Sequence, residues 1–362
     1  MRVGLVMICK DEESNIERAI TSLKPLIDTW VIVDTGSTDG TKDVIRHTLA
    51  DISGFLEDRP WVNFEHNRTE ALELCRGRMD WAIMIDADDN FVGQIPPRTI
   101  WENTNVDAMH IRIKHGNALH GRLQIFRIDA DWCYKGVVHE IPVCRSRSDA
   151  RILKLPETCW FTTRCEGVRS KDPLKYQKDA ELLMKEHEKN PSDKRTIFYL
   201  AQSWRDAGDR EKALKWYKKY IDMSGGWEQE RYISYFNLVN LETDTRQILS
   251  YAWQAVDLCP ERLDVQAVVL GHFLKNNLPL TQELFALLNL TKNRKIKEHF
   301  LFANPAMYNY GFDEAFSVIA FQKGHFKESQ EAALRCSIYH PDEKAQIIAL
   351  NNARVAGAKM LE

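Results

Sequence analysis

The segment Met84-Ile85-Asp86-Ala87-Asp88-Asp89 constrains this chain more than any other. Trp81 to Ile85 is a short apolar run. Such a run reads as a strand covered on both faces, because a half-exposed strand would alternate. It stops at three carboxylates in four residues. Like charges this close raise one another's pKa unless a cation lies among them. A hard divalent cation takes oxygen ligands and commonly shares them with water and substrate phosphates. Asp-x-Asp at the carboxyl end of a buried strand therefore suggests a metal holding a phosphorylated substrate. The competing reading is a solvated acidic turn.

A length of 362 residues favours two domains. The net charge of -3 gives no footprint for nucleic acid, though local basic patches stay open. No apolar run reaches the ~18–20 residues of a membrane span. Met1 to Cys9 is too short for a signal peptide, and the charged Lys10-Asp11-Glu12-Glu13 follows it, so a first strand is expected there. The eight cysteines are scattered, with no Cys-x-x-Cys pair. That pattern fits reduced thiols and a cytoplasmic location.

Chain order then predicts alternating strands and helices. Val3 to Ile8 reads as the first strand. Ile16, Ala19, Ile20 and Leu23 fall at helical spacing, with Ser14 or Asn15 as cap. Thr29 to Val33 is a second buried strand ending at Asp34. Asp34-Thr35-Gly36-Ser37-Thr38-Asp39-Gly40-Thr41 follows, with Gly36 and Gly40 for tight turns and a helix from Lys42 to Ala50. In open α/β sheets, ligands bind outside the carboxyl ends of such strands. Val62-Asn63-Phe64 is expected as a third short strand. A helix is expected from His66, capped by Asn67 or Thr69, with Arg68 near its start and within reach of a phosphate. Gln94 to Pro97 reads as a loop. Residues 108–113 and 122–127 alternate as two half-buried strands, joined by a polar loop with His115, Gly116 and Gly121 that could lie over a site. Trp132 to Glu140 ends an apolar run with His139 and Glu140, a pair that can supply one metal ligand and one proton acceptor, against the structural role that a lone His usually has.

Taken together, Ile8-Cys9-Lys10-Asp11-Glu12-Glu13, Val31 to Thr41, Ile85-Asp86-Ala87-Asp88-Asp89 and Gly136-Val137-Val138-His139-Glu140 resemble family 2 glycosyltransferases in order and spacing. The resemblance covers roughly residues 1–165. It implies a GT-A fold, a nucleotide-diphosphate sugar donor, a divalent metal (Mn2+ or Mg2+) and usually inversion at the anomeric carbon. By the same resemblance, Ile8, Cys9, Lys10 and Asp34 would contact the nucleoside. Asp86 would approach the ribose or diphosphate, and Asp88 would hold the metal and so serve catalysis. His139 looks like a second metal ligand and Glu140 like the base. Glu12, Gly36, Ser37, Arg68 and Ala87 complete the implied nucleotide-sugar contacts. The family often has Asn where this chain has Asp11, and many members carry two adjacent acids where it has Asp34-Thr35.

After Cys165 strand signals fade. Thr196 to Tyr217 matches the tetratricopeptide pattern, with Leu200-Ala201, Trp204, Gly208, Ala213 and Tyr217 at its packing positions. A second unit runs from about Arg231 to Pro260. A last one has Phe316, Ala320, Gly324, Ser329, Ala333 and a closing Pro341. Between them, 261–309 reads as helical but matches poorly. Ser224-Gly225-Gly226-Trp227 breaks the helix between units. The Trp and Tyr side chains here are expected to be core, because small residues let aromatic neighbours insert. The expected organisation is an α/β GT-A domain (1–165), a helical linker (166–190) and an all-α tetratricopeptide-like domain (191–362).

The resemblance implies a metal-dependent glycosyltransferase. The favoured acceptor is a peptide, protein or glycan, with a modified nucleobase as a further class. Homo-oligomerisation through the repeats stays open. Two rivals remain from the residues alone: a nucleotidyltransferase, and a tetratricopeptide scaffold with an inactive nucleotide-binding domain.

Overall fold

The structure is a computed structural model that describes all residues except 96, 97, 103, 104, 117, 165, 280, 291–294, 298, 299 and 362. Pro96 and Pro97 of the expected loop, and Cys165, therefore lie outside the described residues. The seven described cysteines are unpaired.

The chain divides into two units, Met1–Asn190 and Pro191–Glu362. The first is built on β1 (Val3–Cys9), buried at every position. It pairs in parallel with β2 (Thr29–Asp34) on one side and β4 (Trp81–Met84) on the other. β3 (Gly54–Asp58) extends the parallel set beyond β2. The crossovers are α1 (Ile16–Leu23), α2 (Thr41–Thr48) and α3 (Phe64–Leu74). Ile16, Ala19, Ile20 and Leu23 of α1 are all buried, as their spacing requires. α1 and α2 cover one face of the sheet, where Leu5, Met7, Ile32 and Ile83 meet Ile20 and Ile45. α3 covers the other, where Val6, Val31 and Met84 meet Ala71 and Leu72.

Past β4 the sheet becomes mixed. β5 (Asp89–Gly93), α4 (Arg98–Glu102), β6 (Ala108–His115) and β7 (Ala118–Arg127) follow. β8 (Trp132–Lys135) and β9 (Ile141–Cys144) form a separate antiparallel ribbon. β10 (Ile152–Lys154), β11 (Cys159–Thr163) and α5 (Lys175–Lys189) close the unit. The strand order is β3-β2-β1-β4-β7-β6-β11-β5, with β10 beside β6. β1 sends its chain to β2 on one side and has β4 on the other. The carboxyl ends of these strands therefore flank a topological switch point, where open α/β sheets bind ligands.

Three local expectations change. The third strand is β3, not Val62–Phe64. β3 is an edge strand with no fully buried residue, so its apolar signal is weak. Asn63 instead caps α3, its side chain accepting from the His66 N–H at 2.8 Å, and the helix starts two residues before His66. The polar loop expected at 115–121 is mostly paired strand, with His115 opposite Ala118. Gly121 lies so close under the His110 ring that a Cβ there would sit 1.8 Å from Cε1. Residues 166–190 carry α5 and fall within the first unit.

The second unit is helical: α6 (Lys194–Asp206), α7 (Arg210–Asp222), α8 (Glu228–Leu241), α9 (Thr245–Leu258), α10 (Asp264–Lys275), α11 (Gln282–Asn289), α12 (Phe312–Gln322), α13 (Phe326–Tyr339) and α14 (Glu343–Lys359). The repeat-like segments fold as the helical pairs α6/α7, α8/α9 and α12/α13. Gly208 and Gly324 turn two of them with φ of +80° and +77°. Ala213, Ala252 and Ala255 are fully buried, which lets Trp216, Tyr217, Tyr220 and Tyr232 fill the core. The Gly225-Gly226 break has positive φ at both glycines, and Arg231 grips it by donating to the carbonyls of Ile221, Met223 and Gly225. α14 is a helix beyond the last recognised repeat.

Candidate functional site

The loops after β1 and β2 are stitched together. The Asp11 N–H donates to Ser37 Oγ at 2.9 Å, and the Thr38 N–H donates to Asp11 Oδ1 at 2.7 Å. The Glu12 N–H donates to Thr41 Oγ1 at 2.8 Å, and the Gly40 N–H to Glu13 Oε2 at 3.0 Å. Asp11 takes a left-handed conformation, φ 53°, that aims its backbone into this ladder. Asp34 shapes the second loop from inside. Its Oδ1 accepts from the N–H groups of Gly36 and Ser37 at 3.0 and 2.7 Å, and Gly36 has φ 107°. Asp34 has 0% exposure, and Ile8 and Cys9 are buried too. Burial and the neighbouring Asp34 push the Cys9 thiol up. The Asp34 side chain thus holds the loop, while Lys10 is exposed and Glu12 and Ser37 are partly exposed.

The acidic segment is answered by arginines. Arg68, on α3, is 5% exposed. Its Nη2 lies 2.5 Å from Asp86 Oδ1, and its Nε lies 2.7 Å from Glu140 Oε1, off line for a hydrogen bond. Arg122 of β7 adds Nη1 at 3.6 Å from Asp86 Oδ2. Burial alone would raise the Asp86 pKa, but Arg68 and Arg122 override it and bring it to about 2. Burial and the neighbouring Asp86 lift Asp89 to about 7. The mutual repulsion that suggested a cation is therefore met, in part, by guanidinium groups.

Packing holds Arg68 as firmly as charge does. Its Cζ lies 5.7 Å from the Phe64 ring centroid and 5.6 Å from that of Tyr134. The Tyr134 hydroxyl, buried beside this group, has no hydrogen-bond partner among the described residues. α3 is tied to the segment leading to Glu140: Thr69 Oγ1 accepts from the Tyr134 N–H at 2.9 Å, and Glu65 Oε2 from the Gly136 N–H at 2.7 Å. His139 is exposed and sits in a left-handed turn, φ 55°, directly before Glu140.

Asp88 stands apart from these pairs. Its Oδ2 accepts from the Gly167 N–H at 3.2 Å, and its carbonyl accepts from Arg18 Nη2 at 3.2 Å. Ala87 between the acids is buried. Among the described residues no three His, Cys, Asp or Glu side chains gather as a closed metal cage. Asp86 and Glu140 are engaged with Arg68, Asp88 accepts from the Gly167 N–H, and His139 is exposed. Carboxylate oxygen and imidazole nitrogen are donor types that Mg2+ or Mn2+ accepts, with substrate phosphates and water as further ligands.

The structure thus brings Arg68, Asp86 and Glu140 into one cluster and the two loops into another. Sequence reading missed Arg122, Tyr134, Arg18 and the Asp11–Thr38 stitching. One signal was present, that three carboxylates in four residues call for nearby positive charge, but it does not say which arginines supply it.

Comparison with known proteins agrees with the first unit's motifs. Residues 5–94 match the family model described as Glycosyl transferase family 2. An uncharacterized glycosyltransferase of Rickettsia typhi is 32% identical over 88 residues, covering 24% of this chain and 28% of that protein. The chain thus spans under a third of the length of such relatives. A TPR repeat-containing protein of Synechococcus elongatus is 24% identical over 261 residues, covering 67% of this chain and 62% of that one. Among solved structures, S. aureus TarS 1-349 in complex with UDP-GlcNAc overlaps 78% of this chain and 95% of its own, with TM-score 0.40 and 14% identity. Residues 5–94 are a family 2 glycosyltransferase domain, in a chain whose second unit is tetratricopeptide-like.

Proposed function

We propose that the first unit binds a nucleotide-diphosphate sugar at the carboxyl edge of β1, β2 and β4 and transfers the sugar, with inversion, to a peptide, protein or glycan acceptor in the cytoplasm. The observation that carries this reading is the buried Arg68, which gathers the partly exposed Asp86 and Glu140 around one guanidinium although 54 residues separate the two acids. It joins the acidic segment proposed for the donor to the carboxylate proposed for the acceptor.

The stitched loops after β1 and β2 form a preset rim for the nucleoside, with Lys10, Glu12, Gly36 and Ser37 presented and Asp34 supporting them from beneath. Asp86 is held ionised by Arg68, ready to accept hydrogen bonds from donor hydroxyls. Asp88, with His139, would hold a divalent cation. Bound there, that ion stabilises charge on the departing diphosphate. Glu140 takes the acceptor's proton while the acceptor attacks the anomeric carbon on the face away from the diphosphate. Arg68 fixes the place of that carboxylate. The helical unit, through its repeat surface, selects the acceptor.

The test is a panel of nucleotide-diphosphate sugars with Mn2+ and the purified chain, following nucleotide diphosphate release. At least one donor should be turned over. Glu140→Gln should keep donor binding and slow transfer by roughly 10²–10⁴, the scale of a lost general base. No release from any donor, with the protein folded, contradicts the proposal.

A further inference from the structure

The loop after β3 stands beside the two stitched loops. Cys9 lies opposite Asp34, and Asp34 opposite Asp58, so β1, β2 and β3 end at one level. Just past it the Arg59 N–H donates to the Asp34 carbonyl at 2.9 Å, which fastens the third loop to the second. Residues 60–63 then turn into α3. Asn67, with 0% exposure, holds this turn with both ends of its amide. Its Oδ1 accepts from the Val62 N–H at 2.9 Å, and its Nδ2 donates to the Pro60 carbonyl at 3.0 Å. Opening the turn would leave a buried amide unsatisfied, so the turn is firmly set.

What the set turn presents is apolar. Trp61 and Val62 are 44% and 49% exposed. Among the described residues of the first unit, Trp61 is the one exposed tryptophan; Trp30, Trp81, Trp101, Trp132 and Trp160 are buried or partly buried. The Trp61 ring rests against Phe64, with centroids 4.8 Å apart and planes at 80°. Phe64 in turn lies 5.7 Å from Cζ of Arg68, the partner of Asp86. Trp61 thus stands on the rim of the proposed donor site, at its β3 end.

We infer that the donor's nucleobase stacks on Trp61, a role that rests on the proposed donor site. Strand order places it there. The acidic segment proposed for the diphosphate follows β4, and the nucleoside rim follows β1 and β2. The next position outward, after β3, meets the base. Glu140, proposed for the acceptor, shares Arg68 with Asp86 and so belongs to the other end of the site. The chemistry agrees. An indole offers a broad flat face, and every base has a π-face to lay on it. Trp61 therefore adds affinity for the base without choosing which base. Because the turn is already fixed, little ordering is lost on binding.

The test is calorimetric titration of the full chain, with Mn2+, against the diphosphates of uridine, guanosine, adenosine, cytidine and thymidine. Trp61→Ala and Trp61→Leu should each weaken the tightest wild-type nucleotide by roughly 5- to 150-fold, the scale of one lost base stack. Leucine keeps apolar bulk on the turn but has no π-face. Trp61→Phe should retain most of the affinity, because it keeps an aromatic face. The Leu and Phe variants decide the matter even if Trp61→Ala misfolds. A wild type that binds none of the five removes the donor reading, and this inference with it. A wild type that binds, with a Leu variant equally tight or a Phe variant as weak as the Leu variant, overturns the stacking role alone.

Discussion

Arg68 concentrates the account at the level of single side chains. It is a buried cation with two carboxylates and two rings around it. Removing one partner of such a group leaves uncompensated charge in the interior. Arg68→Met should therefore cost about 3–5 kcal/mol of stability, read from urea unfolding. Arg68→Lys keeps the charge but cannot span both acids with one planar fork, so its loss should be smaller. Equal stability of the Met variant and the wild type would show that the cluster is not a net stabilising unit. From sequence, Arg68 reads equally as a phosphate ligand or a surface ion pair. Its spacing from the next cap could not reveal that β8 and the 136–140 turn would close over it.

At the scale of elements, the loops after β1 and β2 behave as one piece. Asp34→Ala strips the acceptor from the N–H groups of Gly36 and Ser37, at a cost of about 1–3 kcal/mol, and should loosen the donor rim. Amide exchange at residues 36–38 should accelerate; unchanged exchange speaks against Asp34 as the loop's support. In the helical unit, burial raises the pKa of Glu230 in spite of Arg195. The folded chain thus keeps this proton to higher pH than the unfolded chain. Stability contributed by the protonated form falls as pH rises from the usual glutamate range through the folded value. Glu230→Gln should flatten the stability profile over that window, and an unaltered profile tells against it. Strands buried on both faces and amphipathic helices such as α1 were legible because burial dictates their pattern. β3 was not, being an edge strand with mixed exposure. Nor was the β6–β7 pairing out to His115, because its polar residues resemble a loop until the ladder is known.

At the scale of the whole molecule, the motifs and the repeats fall in different units. The site residues all precede residue 168, and α5 belongs with them. A fragment ending at Asn190 should bind nucleotide diphosphate with metal yet fail to glycosylate the acceptor. Undiminished acceptor transfer by that fragment would remove the helical unit from acceptor selection. The repeat architecture could be read from the tetratricopeptide spacing. The arginine pairing could not, since it depends on which strand ends meet. The most direct test of the central claim is calorimetric titration of the full chain with a nucleotide diphosphate, with and without Mn2+, for wild type and Asp88→Asn. The account predicts binding that needs Mn2+ and is lost in Asp88→Asn while the fold is retained. Binding that is indifferent to Mn2+ and to Asp88→Asn would contradict it.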